Sequence, residues 1–213
     1  MEIISKYFSD FTPRQVEQLA ALEGLYKEWN DKINVISRND IDSLYEKHVL
    51  HSLSIAAVFD FSAGTEIIDL GTGGGFPGIP LSIFFPDVRF HLVDSIAKKL
   101  KIVDAIVESI GLSNVTTQHT RVEEIKNRKF DFVVSRAVAP LKDLWKWSKP
   151  LLRHKGQETK DKEQGDKLGL ICLKGGDLAQ EIQESGTRPR VVEITELFPE
   201  DYFREKYILY VPM

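Results

Sequence analysis

The sequence predicts an α/β protein: a mostly parallel sheet of seven strands with helices on both faces, preceded by a helical segment. Three observations predict it. From residue 64 onward, short runs rich in Val, Ile and Phe alternate with stretches of helical period, as in successive strand–helix–strand units. A glycine cluster, Gly71 to Gly78, lies between the first of those strands and the first of those helices. Residues 1–62 carry helical periodicity alone, so the expected division is a helical segment over 1–62 and a sheet domain over 63–213.

The elements follow in order. Thr12-Pro13 starts a helix, because a hydroxyl caps free N–H groups and proline suits the first helical position. Val16, Leu19, Leu22, Tyr26, Trp29 and Ile33 then recur at helical steps and form one apolar stripe. Asp40 is placed to cap a second helix from Ile41 to about Phe59, with Leu44, His48, His51 and Ile55 on one face. Strands are expected at 66–70, 89–93, 115–119, 130–135, 169–173, 190–195 and 207–211, the last two antiparallel to each other. Helices are expected at 77–85, at 97–110 where Gly111 stops the chain, at 141–152 and at 177–184. Residues 154–168, HKGQETKDKEQGDKL, have no periodicity and many charges, and read as an exposed loop.

Composition bounds the function. With 42% hydrophobic and 28% charged residues, the 213-residue chain can bury a full core. No apolar run reaches the roughly 20 residues of a membrane span. The opening MEIISKYFSDF lacks the basic-then-apolar layout of a secretion signal. A cytoplasmic protein, monomeric and without a membrane partner, is expected. Cys172 is the only cysteine, which excludes an intramolecular disulfide and a cysteine-based zinc cluster. His48 and His51 have no third ligand nearby in the helical pattern, so a packed pair is expected and no metal. Net charge is −4, yet residues 98–155 hold 13 basic and 6 acidic residues, a local +7. That density suits phosphate contacts; solvated helix faces are the other reading.

The loop Asp69-Leu70-Gly71-Thr72-Gly73-Gly74-Gly75-Phe76-Pro77-Gly78 satisfies two templates. Gly73, Gly75 and Gly78 match G-x-G-x-x-G, which would suit a nicotinamide-dependent oxidoreductase. Asp69, Gly71, Gly73 and Gly75 match D-x-G-x-G-x-G. Its acid suits a cofactor bearing an ammonium and a sulfonium and repels a pyrophosphate. Asp94 ends the next strand, 23 positions after Gly71, where a carboxylate accepts both ribose hydroxyls. In Arg121-Val122-Glu123-Glu124, Glu123 and the backbone N–H of Val122 offer the acceptor and donor an adenine edge needs. A first-turn acid stabilising a helix N-terminus is the other reading of Glu123. Arg136 ends the fourth strand and can hold a cofactor carboxylate, or a base or phosphate of RNA. Lys174 ends the fifth and is either a second RNA contact or a solvated lysine. Phe76 and Trp145 are either stacking surfaces for a base or core side chains.

With these residues in place, the chain resembles the bacterial small-subunit rRNA guanine-N7 methyltransferases, the RsmG or glucose-inhibited division protein B family. The resemblance covers nearly the whole chain. DLGTGGGFPGIPL, LVDS, RVEE, VSRAVAPL and LKGG carry it, with NVISRNDIDSLYEKHVLHSL before the sheet. It implies a class I (Rossmann-like) S-adenosylmethionine-dependent methyltransferase fold, a mostly parallel seven-stranded sheet with an antiparallel last strand. It implies N7 of one guanine in the 530 loop of 16S rRNA as acceptor, in naked rRNA or in the small ribosomal subunit. Guanine N7 carries a free lone pair and no proton at neutral pH, so no catalytic base is expected. Carried over motif by motif, the cofactor-binding positions are Gly71, Gly73, Phe76, Asp94, Val122, Glu123 and Arg136, with Arg136 and Lys174 as the RNA candidates. Two features depart from the family. His51 stands where an Asp is usual in a D-S-L triplet, and the 154–168 loop is longer and more charged.

Overall fold

Seven strands make one sheet in the order β3-β2-β1-β4-β5-β7-β6 in the computed structural model, which describes every residue except 34, 38, 39, 137 and 155–167. The strands are β1 (Glu66–Leu70), β2 (Arg89–Asp94), β3 (Val115–His119), β4 (Phe132–Arg136), β5 (Gly169–Gly175), β6 (Arg190–Glu193) and β7 (Lys206–Pro212). β1 to β5 pair in parallel, and β7 runs antiparallel between β5 and β6. The strand order reverses between β1 and β4. Their carboxyl ends therefore open a crevice, the usual place for a ligand in such sheets.

Period-two alternation puts two apolar layers on the sheet. Ile67, Phe90, Leu92, Phe132, Val134, Ile171 and Leu173 face one layer; Ile68, Leu70, Val93, Val133, Leu170 and Cys172 face the other. The first layer is covered by α2 (Pro13–Asn30), α4 (Gly78–Phe84) and α5 (Ala97–Ser109). The second is covered by α6 (Leu141–Ser148) and α7 (Ala179–Ser185). Each fully buried Leu, Ile or Phe contributes roughly 1.5–3 kcal/mol. No helix among the described residues is long and apolar enough to cross a membrane.

Local chemistry explains the boundaries. Thr12 caps α2: its hydroxyl accepts from the Gln15 N–H, and the Gln15 amide oxygen accepts from the Thr12 N–H. Leu19, Leu22 and Tyr26 are buried, but Val16 is 42% exposed and Ile33 lies beyond the helix end. A short helix, α1 (Glu2–Tyr7), precedes α2 and buries Ile4. The expected helix over 77–85 is α4, with Pro77 as its N-cap residue. α5 ends at Ser109, with Gly111 at φ +63°. The expected helix over 141–152 stops at Ser148 and continues as a 3₁₀ turn, Lys149–Leu151, because Pro150 has no N–H to donate. β4 begins at Phe132, since Phe130 bridges to Leu152 instead. Most of the 154–168 loop lies outside the described residues.

The largest correction concerns the helix expected from Ile41 to Phe59. Asp40 makes no side-chain cap; it pairs with Lys47 at 2.5 Å. The segment is a 3₁₀ turn (Ile41–Ser43), a π-helix (Tyr45–Leu50) and one short α-turn, α3 (His51–Leu53). The widened π turn has a tertiary reason. The Lys47 carbonyl accepts from Arg136 Nη1 at 3.3 Å and Tyr202 Oη at 3.2 Å, donors from distant parts of the chain.

Candidate functional site

A cavity of about 570 Å³ opens at the carboxyl ends of β1 to β4. Gly71, Gly73, Phe76, Asp94, Val122, Glu123 and Arg136 all line it. The glycine loop is held from two sides. Beneath it, Asp69 is fully buried, and its Oδ2 accepts from Thr72 Oγ1 at 2.6 Å and from the Gly78 N–H at 2.9 Å. A Cβ on Gly78 would fall 2.8 Å from Asp69 Oδ2 and from Leu92 Cγ, so only glycine fits that contact. Burial pushes the Asp69 carboxyl up to about 7, against the Thr72 and Gly78 hydrogen bonds that favour its ionised form. Asp69 therefore braces the loop from below and does not line the cavity, which corrects its expected place beside a cationic ligand. Above the loop, Tyr26 Oη donates to the Gly74 carbonyl at 2.5 Å, and its ring stacks on Phe76 at 5.0 Å.

Gly73 gives the loop its open face. Its φ is +59°, and a Cβ there would meet nothing nearer than Gly71 O at 3.9 Å, so it would project into free space. The Gly73 N–H donates to Asp94 Oδ2 at 2.9 Å, while Asp94 Oδ1 accepts from the Ile96 N–H at 2.8 Å. Each oxygen keeps a further lone pair. On the next strand end, Val122–Glu124 form a 3₁₀ turn with Glu123 exposed at the cavity wall.

Arg136 stands at the end of β4. Nη2 donates to His48 Nδ1 at 2.9 Å, Nη1 to the Lys47 carbonyl, and the guanidinium lies 5.0 Å over the Phe76 ring. It has no carboxylate partner among the described residues, and burial lowers its pKa from the ordinary value. A buried cation without a counter-charge costs free energy, so this corner favours an anion. Arginine is a donor only, so His48 accepts at Nδ1 and carries its proton on Nε2. Burial, helped by the Arg136 charge, holds the His48 imidazolium down to about 3. Burial likewise takes His51 well below its ordinary value. Both rings are neutral at physiological pH.

A second cavity, about 640 Å³, adjoins the first across Arg136 and Val138, which line both. His48, His51, Leu173, Lys174, Glu181, Tyr202 and Lys206 also line it. Lys174 is not a solvated lysine: its Nζ donates to the Ala139 carbonyl at 2.5 Å and pairs with Glu181 at 2.6 Å. Trp145 lines neither cavity and is half-buried on the second apolar layer; Trp147, two positions on and on a different helix face, reaches the first. Among the described residues no group of three His, Cys, Asp or Glu could hold a metal. Cys172 is buried and its thiol is pushed up to about 12. Sequence reasoning missed Tyr26, Trp147, Glu181 and Tyr202. Lys99, which lines the first cavity, carried a signal in the basic run.

The first cavity fits a zwitterionic nucleoside: a bare glycine cradle, an Asp94 carboxylate at one strand end, an acceptor and an N–H at the next, and an uncompensated guanidinium. A family model described as GidB, rRNA small subunit methyltransferase G, matches residues 15–198. The chain is 54% identical over 213 residues to a Ribosomal RNA small subunit methyltransferase G from Phocaeicola vulgatus, covering 99% of this chain and 98% of that one. It is 49% identical to the like-named protein of Cytophaga hutchinsonii, covering 100% and 99%. Among solved structures, its fold is similar to a SAM dependent methyltransferase from Aquifex aeolicus, with TM-score 0.55 and 17% identity over 79% of this chain and 92% of that one. It is also similar to MtNAS in complex with MTA and tNA, with TM-score 0.61 and 15% identity over 93% and 74%.

Proposed function

Because the chain belongs to the rRNA small subunit methyltransferase G family, we propose that it moves the methyl group of S-adenosylmethionine to N7 of a guanine in the 530 loop of 16S rRNA. The observation that carries this reading is the convergence of Gly73, Asp94, Glu123 and Arg136 on one cavity that shares a wall with a second. S-adenosylmethionine, when bound, supplies a methyl group already activated by its sulfonium. Asp94 accepts from the ribose hydroxyls, and Glu123 with the Val122 N–H meets the adenine edge. Arg136 holds the carboxylate and balances its own buried charge.

The remaining task is alignment. The N7 lone pair is free at neutral pH, so the chain needs to hold the base in line and keep water out. No base is required, and His48 is not poised as one: it is neutral, and its one acceptor nitrogen is tied to Arg136. Lys174 and Arg136 are the proposed RNA contacts from the second cavity. The site of action is the cytoplasm, where ribosomes assemble. A monomer is proposed because the exposed large apolar side chains, Val16, Val58, Ile96, Val138 and Val191, are scattered over different elements.

The test is tritiated methyl transfer from S-adenosylmethionine to small subunits and to 16S rRNA from a strain lacking the N7 mark. Incorporation at one 530-loop guanine is expected. Arg136→Ala should lose about a hundredfold in rate or more, with its circular dichroism unchanged. Cofactor binding without incorporation would move the acceptor elsewhere; a near wild-type Arg136→Ala would remove that residue from the site.

A further inference from the structure

We propose that Glu181 reads the Watson–Crick edge of the acceptor guanine in the second cavity. The inference rests on the methyl-transfer reading above and adds the residue that selects the base.

An N7 acceptor constrains how a base can be gripped. N7 lies on the Hoogsteen edge and must stay open to the methyl donor. Protein donors on that edge would occupy the lone pair that attacks. Recognition must come from the opposite edge, where guanine presents two donors, N1–H and the N2 amino group, beside the O6 acceptor. The protein must therefore offer an acceptor at the far side of the base, with a donor or cation near O6.

The second cavity offers that set. It adjoins the first through Arg136 and Val138 and lies at the carboxyl ends of β4 and β5. Among the described residues Glu181 is its one lining carboxylate, beside the cations Arg136, Lys174 and Lys206. Glu181 Oε1 is fully engaged: it accepts from the Leu141 N–H at 2.7 Å and pairs with Lys174 Nζ at 2.6 Å. Those two bonds join α7 to the start of α6 and the end of β5, and they hold the carboxylate in one orientation. Oε2 has no partner among the described residues, and the side chain is 25% exposed. The structural duty of Glu181 thus uses one oxygen and leaves the other preset as an acceptor.

Oε2 accepts from guanine N1–H and the N2 amino group, a charge-assisted contact made by a group that does not have to be ordered on binding. Lys206 makes no ion pair among the described residues and sits 4.7 Å over the Tyr202 ring, a cation available to O6. Adenine inverts the pattern. It would set its unprotonated N1 against the carboxylate and its amino group against the cation, so the same arrangement rejects it.

Inosine isolates the contact, because it keeps N7, N1–H and O6 and lacks only the N2 amino group. The experiment compares 16S rRNA carrying guanosine or inosine at the acceptor position, naked and in reconstituted small subunits, with wild type and Glu181→Gln. It reads kcat/KM for methyl transfer and equilibrium binding of each RNA, so a slow variant still reports. Wild type should prefer guanosine by about tenfold or more. In Glu181→Gln the amide oxygen keeps the Leu141 bond and a donor replaces Oε2. The guanosine preference should then shrink to within about twofold, with unchanged S-adenosylmethionine affinity, while the thermal midpoint falls because Lys174 loses its counter-charge. Equal use of both bases by wild type, or the same preference in wild type and variant, overturns the proposal. No transfer to the guanosine RNA by cofactor-bound wild type defeats the functional reading and this proposal together, whereas transfer without discrimination defeats this proposal alone.

Discussion

Arg136 and Asp69 show how far a motif speaks for a single residue. Position 136 at the end of a strand points to the crevice from sequence alone, but its partners, His48 and the Lys47 carbonyl, come from a segment nearly ninety positions earlier. Asp69 sits in the glycine motif, yet the fold turns it under the loop, where Thr72 and Gly78 bind it. Its burial has a pH consequence. The carboxyl ordinarily titrates at 3.8, and in the fold it is pushed up to about 7. Below 3.8 both the folded and unfolded chains carry the proton. Between 3.8 and about 7 the unfolded chain ionises first, so the contribution of Asp69 to stability falls as pH rises. Asp69→Asn cannot titrate, and its oxygen can still accept both bonds. Its stability relative to wild type should rise between pH 4 and pH 8 by on the order of a few kcal/mol. Urea unfolding at the two pH values measures this. A constant difference would mean that Asp69 is already ionised in the fold at pH 4.

At the level of elements, most regular ones were legible, but the short α1 and the π-helix were not. α2 could be read from its cap and stripe because both signals lie within a few turns of chain. The π-helix over Tyr45–Leu50 could not, because the donors that claim the Lys47 carbonyl, Arg136 and Tyr202, belong to distant parts of the chain. The same holds for the role of α2. Its apolar stripe announces burial, but not that Tyr26 reaches the glycine loop and bonds the Gly74 carbonyl. Tyr26→Phe keeps the ring on Phe76 and deletes that one bond. The loss should be about 1–2 kcal/mol of stability. Cofactor affinity should fall several-fold, since the loop then loses its Gly74 tether to α2. Calorimetric titration with S-adenosylmethionine reads the effect. Unchanged affinity would show that the Gly74 tether does not set the loop.

At the scale of the whole molecule, net charge misleads and distribution informs. The chain carries −4, but its 98–155 segment carries +7. In the fold Lys98, Lys101, Lys142, Lys146 and Lys149 of that segment are exposed, while Lys99 and Arg121 line the first cavity. If four or five of these cations meet phosphates, affinity for 530-loop RNA should fall roughly 50- to 130-fold between 50 and 200 mM salt at the single-strand slope. Fluorescence anisotropy across that range measures the slope. A change of threefold or less would return these residues to solvated helix faces.

By itself the sequence determined the strand–helix alternation, the glycine loop, the strand-end residues and the family, because each is written in short-range spacing or in the identity of contiguous blocks. Only the tertiary structure decided that Asp69 faces inward, that Trp147 and not Trp145 reaches a cavity, and that Lys174 is paired with Glu181. It also decided that the two cavities share Arg136 and Val138. The reason is physical. Periodicity reports which face of an element is apolar, whereas a polar atom's partner depends on which elements lie side by side. That is set by the packing of the two apolar layers, and no local run of residues contains it.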